Sequence, residues 1–183
     1  MNVAVCEYGA GNTRSVVIAF ERLGADAHVT SDPADVAAAD LAVLPGVGSA
    51  ASAMSGLRDR GLDSALLERV AEGGPTLGIC LGLQLALEES EEDGGVTCLG
   101  ILPGRATRLQ DDRVPRIGWA AVDPGAEAFY FAHSYAAETP AAVARSEGVV
   151  AAAERGSFLG VQFHPEKSGA AGARFLARCL SRA

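Results

Sequence analysis

The sequence predicts an α/β fold with a mostly parallel central sheet flanked by helices and an antiparallel extension in the second half. Three observations predict it. Up to Leu87, short apolar runs alternate with stretches of helical period, the pattern of parallel strands joined by right-handed helical crossovers. Leu41–Leu44 is apolar throughout, as a strand covered on both faces must be. After Gly94-Gly95 the character changes, and short strand-like pieces follow one another with turns between them.

In chain order, Asn2–Cys6 reads as the first strand, and Glu7-Tyr8-Gly9-Ala10-Gly11-Asn12 breaks it before a helix over 13–23. Asn12 is placed to cap that helix. The two glycines fit either a tight turn or an anion-cradling loop, without the spacing of a dinucleotide or Walker fingerprint. Residues 25–30 form a second strand, and Asp32-Pro33 opens a short helix over 31–39. The strand Leu41–Leu44 ends in Pro45-Gly46-Val47-Gly48-Ser49, followed by helices over 50–71 that break near Gly61. Thr76–Ile79 is a buried strand that delivers Cys80 between Gly78 and Gly82, and a helix continues to Leu87. The run Glu88, Glu89, Ser90, Glu91, Glu92, Asp93 ends that helix and reads as a solvated acidic face. In the second half strands are expected over 106–109, 114–122, 128–137, 142–146, 149–154 and 158–163. Gly148 and Arg155-Gly156 are the hairpin signals, and a helix over 169–181 closes the chain.

Composition sets the outer limits. A chain of 183 residues, 49% hydrophobic, is expected to form a single domain over 1–183 with a sizeable core. Fifteen Lys and Arg face 23 Asp and Glu, a formal charge of −8 with no basic cluster to offset it. Such a surface repels phosphate backbones, so nucleic acid is excluded as a partner. No apolar run is long enough to span a membrane, and the first residues lack the basic and apolar regions of a secretion signal. A cytoplasmic protein is expected. Cys6, Cys80, Cys98 and Cys179 form no CxxC pair and stand in no metal-ligand spacing to the histidines. Free thiols are expected, with no metal and no cofactor.

The chemistry concentrates at two strand ends. A side chain on a strand-to-helix turn projects at the sheet edge while the helix directs its positive end towards it, which is where a nucleophilic Cys80 belongs. The last strand runs into His164-Pro165-Glu166-Lys167. Residues two apart on a strand share a face, so His164 and Glu166 can present base and orienting acid to one site. Cys80, His164 and Glu166 are thus the parts of a cysteine triad. His133 is a competing base, and His28, with no acid in register, reads as structural. PGVGS is either an ordinary turn or a source of N–H donors for an oxyanion. From these residues, a glutamine-hydrolysing enzyme, a cysteine peptidase and a non-catalytic binding subunit all remain open.

Four motifs in order, YGAGN, PGVGS, GICLGLQ and HPEKS, resemble class I glutamine amidotransferases, which have a flavodoxin-like fold. Within that family they are most similar to the glutaminase subunits of imidazole glycerol phosphate synthases. The resemblance covers essentially the whole chain. It implies that Cys80 forms a thioester with glutamine and releases ammonia, and that the N–H groups of Val47 and Leu81 bind the oxyanion. Gly46, Gln84, Glu92, Ser134 and Tyr135 would bind the substrate, which turns Glu92 towards the site and away from its acidic neighbours. It further implies a heterodimer with a cyclase subunit that receives the ammonia, with Asn12, Trp119, Tyr130 and Lys167 near the interface. The PGVG peptide would reorient on activation. Ala120 stands where the family usually has Asn after Gly-Trp, and Thr13 where Leu is common.

Overall fold

Buried apolar runs and the helices between them set the architecture. The computed structural model describes residues 1–9, 11–110 and 114–183. The chain runs β1 (Asn2–Cys6), α1 (Thr13–Glu21), β2 (Asp26–Thr30), α2 (Pro33–Ala38), β3 (Leu41–Leu44), α3 (Ala50–Asp59), α4 (Leu62–Ala71), β4 (Thr76–Ile79) and α5 (Leu81–Leu85). It continues through β5 (Glu89–Ser90), β6 (Val96–Thr97), β7 (Arg105–Arg108), β8 (Arg116–Val122), β9 (Glu127–His133), β10 (Tyr135–Glu138), β11 (Ala142–Ser146), β12 (Val149–Arg155), β13 (Phe158–Val161) and α6 (Gly169–Arg182).

Among the described residues the central sheet has the order β11-β12-β13-β4-β3-β1-β2. The pairs β2–β1, β1–β3, β3–β4 and β4–β13 are parallel, while β12 runs antiparallel to β13 and β11. Two apolar clusters cover its faces. One packs Val36, Met54, Leu57, Leu62 and Leu66 of α2–α4 with Leu81, Leu83 and Leu85 of α5. The other sets Val16 and Phe20 of α1 and Leu176 of α6 against Val5, Val43, Ile79 and Val161. Local chemistry sets the helix starts: Asp32 accepts from Ala34 N at 2.9 Å with Pro33 behind it, and Ser49 accepts from Ser52 N at 3.4 Å.

The antiparallel extension expected in the second half is present as β11 and β12, which join the central sheet beside β13. Among the described residues β8 and β9 pair with each other, and β10-β7-β5-β6 form a third sheet. The strand expected over 128–137 is two strands, because the chain leaves β8 at Ser134 and joins β7 instead. The acidic run is exposed at Glu88, Glu89, Glu91 and Asp93, as expected, and it also binds backbone. α5 stops at Leu85, Glu89–Ser90 is a short strand, and four carboxylates bind backbone N–H groups that would otherwise lack acceptors. Glu88 accepts from Gly104, Glu91 from Arg108, Glu92 from Ala50 and Asp93 from Ala51. Two of these bonds cap the start of α3, where the helix dipole favours negative charge.

Arg69 of α4 is the polar group that ties this half together. It is buried, and its guanidinium donates to the carbonyls of Val36, Ala37, Asp40 and Pro75 at 3.0 to 3.3 Å. Val36 and Ala37 lie in the last turn of α2, whose carbonyls have no intrahelical partner. The same cation thereby caps α2 and fixes the residues that lead into β3 and β4. Arg69→Met leaves those carbonyls unpaired and is expected to destabilise the fold by about 3 kcal/mol. Urea titration checks this; Arg69→Lys, lacking the planar fork, should recover less than half of the loss.

Candidate active site

Cys80 follows β4 with φ 53° and ψ −105° and precedes the first residue of α5. A non-glycine residue held there costs on the order of 1–3 kcal/mol, and packing must hold it. α5 lies so close to the sheet that a Cβ on Gly82 would sit 1.9 Å from the Leu44 carbonyl oxygen. Cys80 N donates to Val161 O at 2.7 Å, so the turn is tied to β13 as well. The expected helix ends two residues early, but the strand, turn and helix start are as expected.

His164 and Glu166 meet Cys80 from the neighbouring strand end. His164 Nδ1 is 2.9 Å from Glu166 Oε1, and both side chains are almost completely buried. The reason differs from the strand argument. β13 ends at Val161, and Glu166 lies in a 3-10 turn, Pro165–Lys167, that folds its carboxylate back under the imidazole. Ser168 clamps this turn by donating to His164 O at 2.6 Å and accepting from Tyr130 N at 2.9 Å. Burial pulls the His164 imidazole down. Hydrogen bonds to Cys80 and Glu166, with their charges, outweigh that and raise it to about 9. Nδ1 faces a carboxylate and carries a proton, leaving Nε2 for the thiol. The other three thiols, Cys6, Cys98 and Cys179, are also buried, and burial pushes them up to about 12, 11 and 12.

A cavity of about 240 Å³ opens beside Cys80, lined by Val47, Leu81, Gln84, Glu92, Ser134 and Tyr135 among others. All the substrate and oxyanion positions named from sequence line it except Gly46, which lies just behind. A Cβ on Gly46 would be 2.6 Å from Leu81 Cβ and 3.0 Å from the Tyr8 hydroxyl, and that buried hydroxyl donates to the Pro45 carbonyl. Gln84 Nε2 donates to Tyr135 O at 2.8 Å and to Gln162 Oε1 at 3.1 Å, leaving its own oxygen for a ligand. Glu92 is half-buried; burial raises its carboxyl above the usual range, offset partly by the Ala50 N–H. A larger cavity, about 470 Å³, opens at the opposite ends of β3, β4 and β13, but its charged groups Glu154 and Arg182 pair with each other. Chemistry favours the smaller one.

The remaining positions divide. Trp119 and Tyr130 face each other across β8 and β9 with ring centroids 6.2 Å apart, and Tyr130 lies 6.5 Å from the His164 ring. Lys167 is exposed on the 3-10 turn. Asn12 occupies the N-cap position of α1, but its side chain makes no capping bond there. Ala10 of the YGAGN loop lies outside the described residues. His28 is not without an acid, since Asp35 Oδ2 is 3.9 Å from its Nε2. His133 is no base for Cys80: it donates through Nδ1 to Tyr135 O at 2.9 Å, and burial lowers it to about 4. Among the described residues no His, Cys, Asp or Glu cluster fits a metal, and no helix is long and apolar enough to cross a membrane.

Sequence reasoning missed Gln162. It is wholly buried and donates through Nε2 to Cys80 Sγ at 3.5 Å. Its signal was a polar residue inside an apolar strand, FLGVQF, directly before His164.

The family model for glutamine amidotransferase class-I matches residues 4–183. The chain is 48% identical to imidazole glycerol phosphate synthase subunit HisH of Methanothermobacter thermautotrophicus, covering 93% of both chains. To the subunit of the same name in Mycolicibacterium paratuberculosis it is 44% identical, over 99% of this chain and 98% of the other. Among solved structures, a glutamine amidotransferase superposes with a TM-score of 0.80 at 20% identity, covering 99% of each chain. PurLQS from Thermotoga maritima gives 0.75 at 16%, covering 99% of this chain and 97% of that one. The mostly parallel sheet and antiparallel later strands are those of this fold.

The two buried imidazoles give stability opposite dependences on pH. His164 is raised, so its contribution is complete below pH 6.5 and is lost as pH rises through about 9. His133 is lowered, so its contribution is complete above pH 6.5 and is lost as pH falls through about 4. Urea midpoints from pH 4 to 10 should show His164→Gln flattening the alkaline limb alone and His133→Gln the acid limb alone.

Proposed function

The chain belongs to the glutamine amidotransferase class-I family, and from that premise we propose that it is the glutaminase subunit of an imidazole glycerol phosphate synthase. One observation carries the reading: a thiol on a strained strand-to-helix turn stands at the end of the strand that pairs with β13, whose own end leads into an imidazole with its Nδ1 on a buried carboxylate. In the proposed reaction Cys80 passes its thiol proton to His164 and its sulfur attacks the side-chain amide carbon of glutamine. The carbonyl oxygen becomes an oxyanion held by the N–H groups of Val47 and Leu81. Leu81, as the first residue of α5, has an N–H with no intrahelical acceptor. His164 gives its proton to the leaving nitrogen, ammonia departs, and a γ-glutamyl thioester remains. His164 then takes a proton from water, which cleaves the thioester to glutamate and restores the thiol. Glu166 keeps the ring oriented and stabilises its charged form.

Substrate binding divides between the cavity walls. The Gln84 oxygen and the Glu92 carboxylate suit the ammonium of the amino-acid head, and backbone at Gly46, Ser134 and Tyr135 suits its remaining polar atoms. This is a single catalytic domain over 1–183, working in the cytoplasm where free thiols persist.

The partner is a cyclase subunit in a heterodimer, which uses the ammonia in histidine biosynthesis to make imidazole glycerol phosphate and an aminoimidazole carboxamide ribonucleotide. Support comes from the surface around the cavity mouth. Trp119 is 59% exposed, Ile117 64% and Val47 41%, a cluster of large apolar groups beside a buried active site. Lys167, Tyr130 and the uncapped Asn12 side chain supply polar contacts. Activation by the partner acts through the PGVG turn: losing one oxyanion donor costs about 10²–10³ in rate.

Cys80→Ala is expected to abolish glutamate release while binding the cyclase as wild type does. Substantial hydrolysis by that variant would reject the mechanism. The wild-type chain alone should be nearly inactive, with turnover rising at least a hundredfold when cyclase and its ligand are added. Full activity without them would reject the allosteric part.

A further inference from the structure

The buried amides beside Cys80 form a relay with only one consistent orientation. Tyr135 O is an acceptor, so the Gln84 group facing it at 2.8 Å is the amide nitrogen. The same carbonyl accepts from His133 Nδ1 at 2.9 Å, and burial keeps that imidazole neutral. The second hydrogen of Gln84 Nε2 goes to Gln162 Oε1 at 3.1 Å. Gln162 therefore turns its own Nε2 to the Cys80 sulfur, at 3.5 Å. Among the described residues that amide nitrogen donates to no other group; Gln162 is 0% exposed, and its backbone N–H is spent on Ala151 O.

We propose that Gln162 is a further catalytic residue, a neutral donor that stabilises the Cys80 thiolate and aims it, held in orientation by Gln84. This rests on the glutaminase reading for its substrate but not for its chemistry. A thiolate accepts hydrogen bonds better than a thiol, so a fixed donor favours the ionised nucleophile without adding charge. The sulfur also meets Ala132 O at 3.8 Å, which can serve only a thiol proton. Gln162 and His164 thus favour the thiolate, and the Ala132 carbonyl favours the resting thiol. Gln84 consequently links the substrate wall to the nucleophile, since a ligand drawn to its oxygen polarises the amide that holds Gln162.

Two variants separate this role from a structural one. Gln162→Glu keeps the oxygen that accepts from Gln84 but removes the donor to sulfur; Gln162→Met removes both. Both should slow alkylation of Cys80 by iodoacetamide at pH 7 about tenfold and lower glutaminase kcat, in the cyclase complex, by about tenfold or more. For Gln162→Glu the KM for glutamine should change less than threefold. If Gln162 only holds Gln84 in place, the Glu variant will alkylate and turn over like wild type, and the inference is overturned. A measurement on the unmutated glutamine guards against misfolding: the side-chain amide proton resonances of Gln162 should shift between wild type and Cys80→Ala. Unchanged resonances overturn it too. Neither alkylation nor the resonances need glutamine, so a wild type that hydrolyses no glutamine overturns the reading of the substrate alone.

Discussion

The strained backbone of Cys80 is the constraint from which the rest follows. A cysteine at φ 53° and ψ −105° persists only because α5 is pressed onto the sheet at the carbonyl end of β3, where Gly82 has no Cβ to obstruct the contact. That contact puts the helix start, the sulfur and the PGVG turn within one small volume. β4 lies between β3 and β13, so the PGVG turn and the His164 turn come from the strands on either side of the one that leads to Cys80. In a parallel sheet the carboxyl ends of adjacent strands face the same way, and the site forms where they converge.

Around this point the protein sorts its polar groups by charge. His164 gains enough from Cys80 and Glu166 to hold its proton despite burial, whereas His133, only one carbonyl away from Gln84, has no acid and remains neutral. Glu166 Oε2 and His133 Nε2 are buried with no protein partner among the described residues. Both lie next to the reacting groups, where a folded protein most often keeps unpaired polar atoms. Arg69, by contrast, has no carboxylate partner among the described residues, yet its whole donor fork is taken up by carbonyls.

Much of this was legible in the amino-acid order. The alternation of apolar runs and helical stretches located β1, β3, β4 and α3–α4, because wholly apolar buried strands and the helical period of the segments between them leave strong local signals. The thiol, imidazole and carboxylate that the structure brings together were also readable, although the pairing of His164 with Glu166 arises from a 3-10 turn and not from strand alternation. What escaped was non-local. Glu88, Glu91, Glu92 and Asp93 read as a solvated run because the N–H groups they satisfy belong to segments distant in sequence. The break at Ser134 reflects which strand is available to pair, and Gln162 carried only the weak signal of a polar residue in an apolar strand.

The account also explains why the active site sits under an apolar rim. The donors and the thiol are worth most where water is excluded, and the β8–β9 hairpin with Trp119 and Ile117 leaves a surface suited to being covered. The central claim is that glutamine is cleaved through a covalent bond to Cys80. Rapid acid quenching of the chain with cyclase, cyclase ligand and glutamine, followed by peptide mass analysis, tests it most directly. A γ-glutamyl group on the Cys80 peptide, formed and consumed as fast as glutamate appears, is the predicted result. Glutamate release with no such adduct, or with the adduct on another residue, would contradict it.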